Sequence, residues 1–417
     1  MDLWQVLVLG VVRLTLNLNY DRLHHVANYD SLVRQLLGQP AFDTTLEFKL
    51  STLKDNVALL SEELLEQINA VITRHAGSCI KKKDAGVSIK VDSYVFESNV
   101  HFPTDVNLAL DCARKCIAAS ARLSQEYALQ GWRKHANWQS KIKGLARSCA
   151  RACRGGGKNK AQRIETTAGA YLQSLYVLEE KILDTVEQLR EQLGSPMLVI
   201  QLSELEGYHD LLIKHILLIS DRLLQGRTIA AREKLYSIFE QHTQWVQKGK
   251  ARPNVELGHR LLIATDQYGI VQDYKIMHGG DEVAEVAPLA DRLINKLGLG
   301  EMASLSFDRG FSSIENRELL EACMSHTQVV MPKKGKLSAA DKHRQSQKRW
   351  RVLANKHSAV ESNIHSLEHH GLDRCPDKGY PAYARYAGLG ILAYNLHRIG
   401  NHLIDRMRRS QRLAPAA

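Results

Sequence analysis

Three acidic residues, Asp92, Asp308 and Glu361, occupy positions where a carboxylate could take part in chemistry. Asp92 interrupts an alternating apolar run, residues 87–95 (VSIKVDSYV), whose period of two predicts a β-strand. A charged side chain within a buried strand is costly unless it is hydrogen-bonded or bound to a metal. Considered alone, this run favours a hydrogen-bonded structural aspartate. The positions of the other two acids later in the chain support a metal site instead.

Phosphodiester chemistry gives three such carboxylates a specific use. Two divalent cations about 3.5–4 Å apart can stabilise the attacking and the leaving oxygen of an in-line displacement. Carboxylates suit Mg²⁺, which keeps several waters and takes few protein ligands. Asp92 is the candidate bridge between the ions, and Asp308 and Glu361 are the candidate flanking ligands. We therefore expect a cofactor of two Mg²⁺ or Mn²⁺ ions, which would also order the mutually repelling carboxylates.

The elements that must position these acids follow from hydrophobic periodicity. Residues 259–265 (HRLLIAT) and 270–277 (IVQDYKIM) predict a β-hairpin around the turn formed by residues 266–269. Beyond the hairpin, helices and strands alternate. They are predicted at 281–297 (helix), 303–307 (strand), 312–323 (helix), 328–331 (strand), 358–369 (helix) and 381–406 (helix). With the Asp92 strand in front, this is the order of an RNase-H-like fold.

A long helical block separates the first strand from the hairpin. Leucines and other apolar residues recur every three or four positions from Leu172 to Leu193, as in a coiled-coil seam, and residues 205–224 resume the pattern. We expect these two stretches to pack against each other. Asp105 or Asn107 is the expected cap of the first helix in this block, and the helical pattern continues to about Lys248.

The predicted fold class is therefore α/β: an RNase-H-like core, with a mixed sheet flanked by helices, an all-α N-terminal region and a large α-helical insertion after the first strand. The predicted boundaries are 1–80 for the N-terminal helical region, 85–104 with 255–410 for the core, and 105–250 for the insertion. We expect the N-terminal region to serve in DNA-end binding or dimerisation. The insertion is expected to present a basic surface to DNA or, alternatively, to dimerise through its leucine-rich seam.

Positive charge is concentrated in two windows of this 417-residue chain, whose formal net charge is +11. Residues 141–163 contain eight Lys/Arg and no acid, and residues 332–356 contain nine Lys/Arg and one acid, so the rest of the chain is net negative. Such clustering favours a polyanionic partner, most simply nucleic acid, over a solvated basic loop. The candidate DNA-binding residues in these windows are Lys158, Lys160, Lys333, Lys334, Lys336, Lys348, Arg349 and Arg351. Trp350 either stacks on a base or belongs to the core.

The seven cysteines are odd in number and no secretion signal is recognisable, which favours reduced thiols in the cytoplasm. Two pairs have i, i+4 spacing: Cys112 with Cys116, and Cys149 with Cys153. Zinc knuckles usually have two intervening residues, so small buried helical residues are the preferred interpretation, with a zinc site as the alternative. No membrane association is expected, because the most apolar run, residues 211–224, is too short and contains charges.

Several stretches of the chain resemble bacterial insertion-sequence transposases of the DDE type, which have an RNase-H-like catalytic core. The resemblance covers almost the whole chain, and it depends on the set and order of the stretches rather than on any one of them. They are residues 92–105 (DSYVFESNVHFPTD), 307–311 (FDRGF), 360–364 (VESNI) and 371–374 (GLDR), with 4–13 (WQVLVLGVVR) and 53–56 (LKDN) near the start.

This resemblance implies that Asp92, Asp308 and Glu361 bind two divalent metals and cleave double-stranded DNA at the transposon ends. It further implies action on target DNA and a homodimer. The family usually has additional residues before the segment that begins here at Trp4, so we expect a missing start. The family often has Arg and Lys where this chain has His357 and Glu368. Arg374 or Lys378 could take over their contact with DNA phosphate.

Three functions remain open from the sequence. The first is a transposase that nicks DNA and transfers strands. The second is a nuclease of the same fold that only hydrolyses, and the third is an inactive or truncated copy that only binds DNA. The terminal repeat, the target sequence and the choice between copy-out and cut-and-paste transposition are not encoded in any motif that we recognise.

Overall fold

The structure is a computed structural model that describes residues 1–41, 45–80, 86–247 and 254–413, without the side chains of residues 232 and 410–413. The chain divides into two compact units. One comprises residues 1–99 and 244–417, and the other comprises residues 100–243. Each is described by itself below.

The first unit begins with helices whose starts are set by side-chain caps. Asp2 and Gln5 form a capping box at the first helix, and Asn19 and Asp30 cap the next two by accepting backbone N–H groups. The helices are α1 (Leu3–Thr15), α2 (Tyr20–Tyr29), α3 (Ser31–Leu36), α4 (Leu50–Val57) and α5 (Glu62–Ile80). Within the described part of residues 1–80 every regular element is helical.

A seven-stranded mixed sheet forms the centre of this unit. Its strands are β1 (Val87–Ser98), β2 (Gln244–Gln247), β3 (Val255–Thr265), β4 (Val271–Met277), β5 (Met302–Phe307), β6 (Gln328–Val330) and β7 (Arg374–Cys375). The path through the sheet is β2-β3-β1-β5-β6, with β4 paired to β3 and β7 paired to β1. β1 is antiparallel to β3 and parallel to β5 and β7.

The predicted hairpin is confirmed as β3 and β4, which pair antiparallel. Its turn is closed by Asp266, whose Oδ1 accepts the backbone N–H groups of Tyr268 (2.8 Å) and Ile270 (2.9 Å). Gly269 takes a φ of +78° in this turn, a conformation that favours glycine. The local sequence of the turn therefore accounts for this part of the fold.

Alternate residues of β1 lie in two hydrophobic cores on opposite faces of the sheet. Val87, Ile89 and Val91 belong to one core, and Tyr94 and Phe96 belong to the other. The helices of the C-terminal half cover these faces. They are α10 (Val286–Leu297), α11 (Ile314–Cys323), α12 (Ala339–Ser346), α13 (Lys348–His357), α14 (Ala359–Leu367) and α15 (Tyr380–Leu413). A mixed open sheet flanked by helices is thus present.

Two features of the C-terminal half differ from the sequence prediction. The basic segment after β6, for which the sequence analysis predicted no regular element, contains α12 and α13. Ser338 and Asp341 form a capping box that starts α12, and the single buried residue of α13, Trp350, anchors that helix. The helix expected over residues 358–369 ends at Leu367 and continues as a π-helical segment, Glu368–Leu372, with Gly371 at a φ of +83°.

The second unit is helical and lies between β1 and β2 in the sequence. It contains α6 (Asp105–Glu126), α7 (His135–Arg154), α8 (Lys160–Glu191) and α9 (Pro196–Ile219), which share one core. The leucine stripes of α8 and α9 are buried in this core together with α6 and α7, so they form a four-helix cluster rather than an isolated pair.

Two predicted details of this region are wrong. The cap of α6 is Thr104, whose side chain accepts the N–H of Asn107, rather than Asp105 or Asn107 itself. The helical pattern does not reach Lys248, because α9 and its π-helical extension end at Leu224. Residues Gln244–Gln247 form a strand of the sheet. The pairing of β2 with β3 is a contact between distant residues that helical periodicity does not reveal.

The thiols of Cys112, Cys116 and Cys149 are buried in the helical core, and that of Cys153 is half-buried. Burial raises the pKa of Cys116 to about 12, which keeps that thiol protonated at neutral pH. Among the residues that the structure describes, no helix is both long and apolar enough to cross a membrane.

Candidate active site

The register of β1 and β5 brings Asp92 and Asp308 to adjacent positions at one end of the sheet. Val91 and Phe307 are the last paired residues of these two parallel strands, and both are buried in the same core. Asp92, inside β1, and Asp308, directly after the end of β5, follow this pair in the chain. Since neighbouring parallel strands carry paired side chains on the same face, the two aspartates follow the apolar pair side by side.

Glu361 reaches the same region from α14. The residue before it, Val360, packs in the core that contains Tyr94 and Phe96 of β1, so α14 covers the face of the sheet to which Asp92 belongs. Glu361 itself is exposed, as is Asp308, whereas Asp92 is half-buried. The structure thus gathers the three predicted acids from a strand, a strand end and a helix.

The pKa of Asp92 is influenced by the other acids of this region. Burial raises the pKa of Asp92 to about 7, although the backbone N–H of Ser93, which donates to Asp92 Oδ1 at 2.7 Å, opposes the shift. The negative charges of Asp308, Glu282 and Glu361 are smaller contributions to this raised pKa. Asp92 therefore titrates near neutrality, and a cation near it would favour its charged form.

The carboxylates do not form a closed cation cage. In the described ranges, no group of three or more His, Cys, Asp or Glu side chains is arranged to hold a metal ion. The donor set of Asp92, Asp308 and Glu361 nevertheless has the chemistry that a hard divalent cation prefers, because all its atoms are carboxylate oxygens.

Glu282 is an acid of this region that the sequence analysis missed. Its Oε1 accepts a hydrogen bond from Ser93 Oγ at 2.6 Å and lies 3.2 Å from Nη1 of Arg260. A β-carbon built on Gly310 would overlap its carboxylate. Glu282 therefore contacts the neighbour of Asp92 on one side and the Asp308 turn on the other. Its sequence context, the first turn of a predicted helix, signals only a favourable helix-dipole position.

His357, at a position where the sequence resemblance led us to expect Arg, is not free to act as a cation. Its Nδ1 lies 3.0 Å from Ser306 Oγ on β5. Burial lowers the pKa of His357, against the opposing influence of Asp308, so the imidazole is mostly neutral at pH 7. Its Nε2 is buried and has no hydrogen-bond partner among the described residues.

The predicted DNA-binding residues of the first unit fall into two groups. Lys336, Lys348, Arg349 and Arg351 are exposed. Lys333 is engaged by Asp341 at 3.0 Å, and Lys334 Nζ donates to the carbonyl of Gly310 at 3.3 Å. Trp350 is buried, which supports the core interpretation and not base stacking.

The other candidate DNA-binding residues, Arg374, Lys158 and Lys160, lie outside the basic segment after β6, as does Glu368. Arg374 donates from Nε to Glu97 Oε2 at 3.0 Å, so part of its charge is already neutralised. Glu368 lies 3.5 Å from Nδ1 of His365. Lys158 and Lys160 are exposed on the helical unit, at the junction between α7 and α8.

Comparisons of this chain with protein-family models, with curated proteins and with solved structures found no match. Its function therefore has to be inferred from its own residues and their geometry.

Proposed function

We propose that this protein is a DDE-type transposase with an RNase-H-like core that cleaves and joins DNA at the ends of an insertion sequence. The observation that carries the proposal is the placement of Asp92 and Asp308 directly after the last pair of two parallel strands, with Glu361 on the helix covering that face. The electrostatic influence of Asp308 and Glu361 on Asp92 supports a shared site.

Asp92, Asp308 and Glu361 are the residues that would hold Mg²⁺ or Mn²⁺. Two such ions would supply charge stabilisation to the attacking and leaving oxygens of an in-line displacement at phosphorus. The protein contributes the alignment of the carboxylates. Ser93 orients Asp92 through its N–H, and Glu282 connects Ser93 to the turn that follows Asp308. The exposed positions of Asp308 and Glu361 leave the site open to DNA.

The partner in this proposal is double-stranded DNA, at the transposon ends and at the target. The exposed cations of α13 would contact phosphates and hold the duplex without reading its sequence. Lys158 and Lys160 are separate candidate phosphate contacts of the helical unit. We propose a cytoplasmic homodimer, which would hold two transposon ends together.

The test uses the full chain and a duplex carrying the end of the element, taken from the DNA that flanks the gene. We expect Mg²⁺-dependent nicking followed by a joined product when target DNA is present. Asp92→Ala, Asp308→Ala and Glu361→Ala should each abolish both steps while leaving duplex binding largely intact, because each removes charge stabilisation rather than DNA contacts.

The outcome also separates the alternatives. Nicking without a joined product would indicate a nuclease of the same fold. Duplex binding with neither product, under conditions where the protein is folded, would indicate an inactive copy that only binds DNA. Normal cleavage by any one of the three variants would exclude that residue from the site.

A further inference from the structure

A basic cavity of about 130 Å³ lies beside the Asp308 turn, between the start of α11, the end of β6 and α12. A single water needs roughly 10–15 Å³ of such space, so this cavity has room for a polyatomic group. Four cationic side chains are among the residues that line it: Arg317, Lys333, Lys334 and Arg344. Within the described ranges, Asp341 is the one acid that lines it with them.

Asp341 is buried, and three hydrogen bonds already occupy one of its two carboxylate oxygens, Oδ2. Its Oδ2 accepts from Ser338 Oγ (2.6 Å), from Ser338 N (3.2 Å) and from Lys333 Nζ (3.0 Å). Its Oδ1 lies 3.5 Å from Nη1 of Arg317 and 3.5 Å from Nη1 of Arg344. One negative charge therefore faces three of the cavity's cations, and the cavity lining keeps a net positive charge.

The guanidinium groups have donors to spare. Each arginine carries five N–H donors, and the contact of Arg344 with Asp341, at 3.5 Å, is an ion pair without a hydrogen bond. Arg317 also lies 3.5 Å from Glu318 and 4.0 Å from Glu321, but both acids are on the exposed surface. These geometries leave N–H groups of Arg317 and Arg344 available to an anion in the cavity.

The cavity adjoins the turn that follows Asp308. Lys334, in its lining, donates to the carbonyl of Gly310, which is two residues after Asp308. Ser312 and Ser313, at the start of α11, also line the cavity, and the positive end of that helix adds to the attraction for an anion. An anion held here lies against the same turn that presents Asp308.

We propose that this cavity binds a backbone phosphate of the DNA strand whose neighbouring phosphate reacts at Asp92, Asp308 and Glu361. The inference builds on the proposed function and names Arg317 and Arg344 as phosphate contacts that the sequence analysis did not select. Binding one phosphate there fixes the register of the strand relative to the acids.

Arg344→Gln is the principal test variant, because Ser338 and Lys333 still satisfy Asp341 when Arg344 is changed. Binding of a duplex is measured in Mg²⁺-free buffer at several salt concentrations. Each phosphate contact contributes about 0.9 to the slope of log K against log salt, so Arg344→Gln should lower the slope by about one and weaken binding about tenfold. Arg344→Lys keeps the charge and should retain most of the slope.

Arg190→Gln is the matched control, because Arg190 is an exposed arginine in an ion pair with Glu206 at 2.7 Å, outside both basic windows. It should leave the slope unchanged. In a second arm, inorganic phosphate is compared with chloride at equal ionic strength in thermal unfolding. Phosphate should raise the midpoint of the wild-type chain and of Arg190→Gln, and should have less effect on Arg344→Gln.

An unchanged slope for Arg344→Gln, with a wild-type chain that binds duplex in a salt-dependent way, overturns the binding of a DNA phosphate in this cavity and leaves the proposed function intact. Wild-type chain that binds no duplex overturns both. If inorganic phosphate stabilises the wild type while the slope for Arg344→Gln stays unchanged, the cavity takes free phosphate and the assignment to DNA is wrong.

Discussion

The carboxylate of Glu282 fills the space that a β-carbon on residue 310 would need, and Gly310 is what allows this approach. Through the same carboxylate, Glu282 accepts from Ser93 Oγ and pairs with Arg260. The end of β1 that carries Asp92 and the turn after Asp308 are thereby connected by one side chain.

Gly310→Ala should therefore lower DNA cleavage much more than stability. The overlapping atom is the far end of a flexible side chain, so Glu282 can rotate away at a cost on the order of 1 kcal/mol. Rotation breaks its hydrogen bond to Ser93, a contact with a charged group that is worth about 1.5–3 kcal/mol. We expect cleavage to fall roughly tenfold or more, measured as single-turnover rates with Mg²⁺.

Gly300→Ala is the control for this change, because nothing lies within 4 Å of a β-carbon at that position. It should cleave at the wild-type rate. Equal rates for Gly310→Ala and Gly300→Ala would show that the contact of Glu282 has no part in aligning the acids.

Asp92 should make the folded chain less stable as pH rises in the absence of metal. Its pKa is raised from an ordinary value of 3.8 to about 7, mainly by burial, so between these values the folded state binds a proton that the unfolded state has lost. The free energy of unfolding then falls with pH by up to about 1.4 kcal/mol per unit and levels off above pH 7.

Asp92→Asn removes this dependence. In urea unfolding with EDTA present, the variant should gain stability relative to wild type, and the gain should be larger at pH 8 than at pH 5. The contributions of other titrating groups to the pH dependence of stability largely cancel when the two proteins are compared. A gain that is the same at both pH values would mean that Asp92 has an ordinary pKa.

The exposed cations of α13 should bind duplex DNA without regard to sequence. A triple variant that changes Lys348, Arg349 and Arg351 to Gln should reduce the slope of log K against log salt by up to about three. It should weaken binding to an element-end duplex and to an unrelated duplex by the same factor, because phosphate contacts do not read bases.

The matched triple control changes Arg114, Arg122 and Arg190, which are exposed on the helical unit outside both basic windows. The same total charge is lost in the two triples. If both reduced the slope equally, the effect would come from net charge and not from a DNA surface on α13.

His215 should destabilise the chain as pH falls. It is completely buried on α9, and neither ring nitrogen has a hydrogen-bond partner among the residues that the structure describes. Burial lowers its pKa to about 4 from 6.5. From pH 6.5 down to about 4 the unfolded state binds a proton that the folded state does not, so the free energy of unfolding decreases with falling pH.

His215→Leu should raise stability by about 1–3 kcal/mol at pH 7, since it removes unpaired buried polar groups, and by more at pH 5. Urea unfolding at the two pH values provides the measurement. His25→Leu, at an exposed position on α2, should show neither effect. A smaller advantage for His215→Leu at pH 5 than at pH 7 would contradict the lowered pKa.

The sequence alone predicted those secondary-structure elements whose patterns extend over only a few residues. The alternation around Asp92, the turn at Asp266 and Gly269, and the three-and-four spacing of α8 predict structure because strand pleat, turn geometry and helical pitch act over a few residues. The order of these elements also led to Asp92, Asp308 and Glu361 as a group, whose role in metal binding stays a prediction.

Only the tertiary structure decided which side chains those residues contact. The contact of Glu282 with Ser93 and Gly310, the burial of His357 against Ser306, and the pairing of Arg374 with Glu97 join residues that are far apart in the chain. Burial and ion pairing depend on which surfaces come together, and a basic window in the sequence does not distinguish a solvated lysine from one held by a buried carboxylate. For this reason Arg317 and Arg344 were recognised as anion-binding candidates only when the fold placed them around one cavity.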